Sequence, residues 1–173
     1  MNRLNKNSLE SLEYLKELCE KEIISWPIDF EFYQASKTQL EETLKYWFGN
    51  ETWSSSGDSF IQFGKDASGS MFLLWFYPKL KTEPPVVFMD SEGDASLVSS
   101  SITEFVKQMA SGFLFFSGSW IEPNSKEKKD LNWTLLKKLV NEHFGIKHIN
   151  PEELTKIAKL SHPSFSDWAE SKI

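Results

Sequence analysis

The sequence predicts one domain of mixed helix and strand, and three features of its 173 residues carry that prediction. Between Asp58 and Gly112, short apolar runs alternate with turn residues: strand, glycine turn, strand, proline loop, strand, acidic turn, strand, then a capped helix. Helical spacing governs the segments on either side. The length lies within the about 100 to 200 residues usual for a domain, enough to bury a core without staples.

Each element has a local cause. Leu9, Leu12, Leu15 and Leu18 recur at helical spacing, with Asn7 placed as the cap and Glu10 three residues on. Trp26-Pro27 breaks that pattern. Ile28, Phe30 and Phe32 then alternate with Asp29 and Glu31 as a half-buried strand would, with a short helix as the competing reading. Ser36 and Gln39 form a capping box for a helix bearing Leu40, Leu44, Trp47 and Phe48, which stops at Gly49-Asn50. Trp53 to Gly57 is a polar connection. Ser59 to Phe63 and Met71 to Tyr77 are strands whose connecting turn is bracketed by Gly64 and Gly69, since glycine takes the positive φ of tight hairpins. Met71 to Tyr77 is apolar at every position, so it belongs at the centre of a sheet covered on both faces. Pro84 and Pro85 delay the next strand to Val86, and Leu97-Val98 follow the acidic turn. Ser101 caps a helix with Ile102, Phe105, Val106 and Met109 on its apolar side, and Ser111-Gly112 ends it.

Residues 113–173 read as a helical C-terminal extension. Phe113 to Phe116 is a last strand or a buried connector, and Ser117 to Lys129 an exposed polar loop. Asp130 can cap a helix carrying Leu131, Leu135, Leu136, Leu139 and Val140. Asn150-Pro151-Glu152-Glu153 is a helix start, with proline at the first position and carboxylates at the positive end of the dipole. A short terminal helix from Ser164 includes Trp168. No internal repeat and no long linker divides the chain.

Composition bounds the function. A formal charge of −6 repels nucleic-acid phosphates, so no direct nucleic-acid binding is expected, and a basic protein is the partner that this charge attracts. The chain is rich in rings, with 14 Phe, 7 Trp and 4 Tyr; most belong to the core, and Trp and Tyr also dominate binding hot spots. Cys19 has no second cysteine to pair with, and the N-terminus leads into no apolar core of signal-peptide length, so cytoplasmic residence is the expectation. No apolar run approaches the ~18 residues of a membrane span. Asn50-Glu51-Thr52 and Asn132-Trp133-Thr134 match the glycosylation pattern by chance.

No catalytic constellation emerges, and neither a metal nor a cofactor is expected. Gly64 to Ser70 lacks a phosphate loop's order, because Lys65 precedes the second glycine and a strand follows. Asp90, Glu92 and Asp94 lack a calcium loop's spacing, with Gly93 at the fourth position and Ser101 where a glutamate belongs. His143 and His148 are five apart across Gly145, His162 precedes Pro163, and Cys19 lies by an apolar stripe, which suits inert packing. An enzyme using carboxylate chemistry stays open, since sparse histidines do not exclude it.

Phe63-Gly64, Asp66 with Ser68-Gly69, the strand entry Pro85-Val86-Val87 and the Ser101 to Met109 helix with Phe105 resemble the core of the SUKH superfamily, over about residues 58–112. Upstream, Pro27 and Phe48-Gly49-Asn50 are a loose echo of that family's proline-led helical segment. The resemblance implies an α+β fold with a mainly antiparallel sheet flanked by helices, used for binding and not for turnover. It also implies a bacterial immunity protein that neutralises a cognate polymorphic or contact-dependent toxin domain, often a nuclease. The alternative is a regulatory interaction scaffold akin to the fungal cell-wall assembly regulators. On the immunity reading the partner surface comprises Asp66, Asp90, Glu92 and Asp94 for charge, with Trp53 and Trp75 as aromatic anchors. The chain itself is expected as a monomer or a homodimer.

Overall fold

A computed structural model describes residues 3–49, 57–145 and 148–173, and it has an α+β architecture built on a five-stranded antiparallel sheet. The first half supplies α1 (Lys6–Glu20), β1 (Glu31–Phe32), α2 (Lys37–Trp47), β2 (Ser59–Lys65) and β3 (Met71–Phe76). Then come β4 (Val86–Met89), β5 (Ala95–Ser99) and α3 (Ile102–Met109). Strand order follows chain order, β1-β2-β3-β4-β5, and every pairing is antiparallel. The C-terminal third adds β6 (Leu114–Phe116), β7 (Ser119–Ile121), α4 (Glu127–Asp130), α5 (Trp133–Phe144), α6 (Pro151–Ser161) and α7 (Phe165–Glu170).

The apolar run Met71 to Phe76 is buried throughout and lies in the middle of the sheet, as its composition requires. Alternation divides its side chains between two cores. Phe72, Leu74 and Phe76 join Leu12, Leu15 and Leu18 of α1, Phe105 of α3 and Leu136 of α5 on one face. Met71, Leu73 and Trp75 meet Leu40 and Leu44 of α2, Ala158 of α6 and Phe165 of α7 on the other. Helices therefore cover both faces.

Local chemistry fixes the ends of these elements. Ser36 and Gln39 exchange both bonds of the capping box, Ser101 Oγ accepts from Glu104 N, and Asn150 caps α6 with Pro151 at its first turn. Other expectations require correction. Asn5, not Asn7, caps α1, because its side chain accepts from Ser8 N at 2.8 Å. The strand expected from Ile28 to Phe32 is reduced to Glu31–Phe32, since Ile28 N turns back to Ser25 O. Asp130 does not cap α5: Leu131 is extended, so the helix restarts at Trp133 with Asn132 accepting from Leu135 N. The polar stretch from Ser117 contains β7, whose Trp120 is buried, and the turn takes positive φ at both Ser117 and Gly118.

Gly64 also serves a different purpose from the one its turn suggested. It lies inside β2 at a bulge, and a Cβ there would stand 2.2 Å from Phe30 Cε2. Close approach of the Phe30 ring, not positive φ, requires glycine. Gly69 has φ +87 and fits the turn reading.

Candidate protein-binding surface

The sheet's connectivity brings two acidic turns together. The β2–β3 turn carries Asp66 and the β4–β5 turn carries Asp90, Glu92 and Asp94; both lie at the same end of the sheet because β2 and β4 flank β3 in the same sense. Asp66 Oδ1 accepts from Ser68 N at 2.9 Å, Ser68 Oγ at 2.7 Å and Ser70 N at 2.9 Å, so this carboxylate shapes its own turn. Asp90 Oδ1 accepts from Glu92 N at 2.7 Å in the same manner. Serines then join the turns: Ser91 N donates to Ser70 Oγ at 3.0 Å, and Ser91 Oγ to Ser68 Oγ at 3.2 Å. This cross-link holds the two loops in one rim.

Within that rim the carboxylates divide by role. Asp66 and Asp90 are half-buried and bonded, whereas Glu92 and Asp94 are exposed, and among the described residues no cation pairs with either. Unpaired exposed carboxylates keep their field for an approaching partner. Beside them, Trp47 at the end of α2 donates Nε1 to the Asp90 carbonyl at 2.8 Å. Its neighbour Tyr46 is 89% exposed.

The expected aromatic anchors do not sit here. Trp75 is 1% exposed and donates Nε1 to buried Asp58 Oδ1 at 2.8 Å, so it packs the core and presents nothing to a partner. Trp53 lies outside the described residues, as do Asn50 to Thr52 and most of the polar connection before the sheet. Trp47 is the ring that meets the acidic turns instead. No local signal marks the contact of Trp47 with a residue 43 positions away.

The remaining candidate groups are dispersed. Burial pushes the Cys19 thiol up to about 12, which leaves it protonated and poorly nucleophilic at neutral pH. His143 stacks on Tyr14 with ring centroids 3.8 Å apart, and His162 Nδ1 lies 3.0 Å from the Tyr77 hydroxyl. Burial lowers the His162 pKa below its ordinary 6.5. Among the described residues, no three His, Cys, Asp or Glu side chains converge on a point that could hold a metal ion. None of the helices among the described residues is long and apolar enough to cross a membrane.

Comparison with protein-family models, with curated proteins and with solved structures gave no match.

Proposed function

We propose that this protein acts in the cytoplasm as an immunity protein, binding a cognate toxin domain and blocking its active site or its access to substrate. The observation that carries the reading is the serine-braced rim, where Glu92 and Asp94 stand without a cation partner among the described residues, close to half-buried Trp47 bonded to the Asp90 carbonyl. Acidic groups held in place attract a basic cleft and set its register, and the adjacent ring supplies desolvated contact. A nuclease domain has such a cleft, because it must hold phosphates. Support for a toxin in particular comes from the SUKH resemblance of residues 58–112.

Replacing Asp90, Glu92 and Asp94 together by Asn, Gln and Asn keeps the acceptor oxygens of the turns and removes the charge. Titration calorimetry against the toxin domain recovered by pull-down is expected to show binding weakened by roughly 0.6–3 kcal/mol, about 0.2–1 for each charge removed, with loss of protection in cells. Unchanged affinity discards this surface. Recovery of several unrelated host proteins, with no dominant toxin, favours the regulatory scaffold instead.

A further inference from the structure

Among the described residues, the sheet has an edge on which backbone groups stand unpaired. β1 pairs with β2 only at Glu31 with Lys65 and Phe32 with Gly64, and Tyr33 N adds one bond to Phe63 O. Beyond Tyr33 the chain turns into the Ser36 cap of α2, so the first half of β2, Ser59 to Gln62, loses its neighbour. The direction of its free groups follows from the ladder. Trp75 N bonds Pro85 O on the β4 side, so its neighbours Leu74 and Phe76 turn their backbone groups to β2. They pair with Ile61 and Ser59, which leaves the N–H and C=O of Phe60 and Gln62 pointing outward.

These groups open on a groove of about 680 Å³ between β2 and α2, with Leu40, Leu44 and Ile61 among its apolar lining. Its rim is cationic. Arg3 reaches over Ser59 and donates to its hydroxyl, and Lys45 stands on α2. Among the described residues neither has a carboxylate partner, while Glu41 shares Lys37 at 3.9 Å and Asp58 is buried against Trp75. Edges are normally guarded by lysine, proline or a covering element, and Ser59-Phe60-Ile61-Gln62 contains neither lysine nor proline.

We infer that this groove binds an extended, acidic segment of a partner protein, which adds to the sheet along Phe60 and Gln62 as the strand that β1 leaves out. Main-chain bonds hold the segment, and Arg3 and Lys45 select its acidic side chains. A second copy of this chain is disfavoured as the occupant, because edge-to-edge pairing of two β2 strands would bring each copy's Arg3 and Lys45 against the other's. The inference does not rest on the toxin reading, since the acidic rim follows the last residue of β2 and the groove flanks its first.

The test is selection of linear seven-residue peptides from a display library on the full chain. Selected peptides are expected to carry Asp or Glu, and on binding to slow amide exchange at Phe60 and Gln62 by about tenfold or more. Methylating the backbone nitrogens of alternate peptide residues should abolish binding in one frame and leave it intact in the other. The double variant Arg3→Glu, Lys45→Glu should weaken binding about tenfold with no change in thermal stability. The inference is overturned by selection of no binding peptide, by protection that maps elsewhere, or by equal response to both methylation frames. It is also overturned if Phe60 and Gln62 are already protected in the free chain. Concentration-dependent protection would assign the edge to a second copy, and concentration-independent protection to a segment of the same chain.

Discussion

At its β5 edge the sheet ends against α3 and α6. The outward carbonyl of Val98 accepts from Thr155 Oγ1 at 2.7 Å and from Gln108 Nε2 at 3.1 Å. At its β2 edge the ladder stops after Phe63, and Ser59 to Gln62 face a groove. One edge is closed by side chains brought from 57 and 10 positions away; the other, among the described residues, has no strand paired to it along half of β2. The difference shows what the C-terminal third does for the fold. Its helices finish one edge of the sheet and pack on both faces, α5 on one and α6 and α7 on the other, and they leave the opposite edge available.

The closed side should be the more costly to disturb. Phe165→Ala removes a ring that is 1% exposed and packed 4.9 Å from Trp75, so chemical denaturation should show a loss of about 3–5 kcal/mol. A loss below 1 kcal/mol would mean that α7 only decorates the sheet. On the open side, Gly64→Ala forces a Cβ into the Phe30 ring and should cost about 1–3 kcal/mol. It should also speed amide exchange at Lys65, because β1 loses its seat and the unpaired stretch lengthens.

Gln108→Leu sharpens the comparison from within the closed edge. Gln108 Nε2 donates to Val98 O, Pro151 O and Thr155 Oγ1, and the side chain is fully buried, so its loss should cost about 1–3 kcal/mol. Combined with Thr155→Val the two changes should couple, since both groups serve the same carbonyl. Additive losses would show that each stabilises α6 independently.

The smallest effect concerns pH. His162 ends α6, and burial lowers its pKa in the folded state below the ordinary 6.5. The unfolded chain therefore takes up this proton more readily, so stability is full above about 6.5 and declines as pH falls from there toward the lowered folded value. His162→Gln should flatten that slope in denaturation curves recorded across this range. An unchanged slope would assign it to other groups.

Legibility followed the range of the forces. Strands β2 to β5, the Ser36 box, the Ser101 cap and the Asn150-Pro151 start were readable because alternation, capping and turn geometry act over a few residues. The β6–β7 hairpin was harder: only three residues form each strand, and nothing local distinguishes buried Trp120 from a ring in a loop. For the candidate surface, the acidic residues were legible and their neighbours were not. Asp66, Asp90, Glu92 and Asp94 advertise turns, whereas burial of Trp75 depends on Asp58, Phe165 and Trp168 meeting it from other elements.

Strands β2 to β5, the capped starts of α2, α3 and α6 and the central place of Met71 to Phe76 follow from periodicity and neighbouring side chains, so the chain alone encodes them. Which carboxylates share a rim, which tryptophan reaches it and which edge lacks a paired strand among the described residues come from the assembled fold. Those outcomes depend on contacts such as Ser91 with Ser68, Trp47 with Asp90 and Thr155 with Val98. Each joins residues far apart in the chain, and no local pattern encodes where a side chain will find a partner it meets only after the sheet and its covering helices have come together.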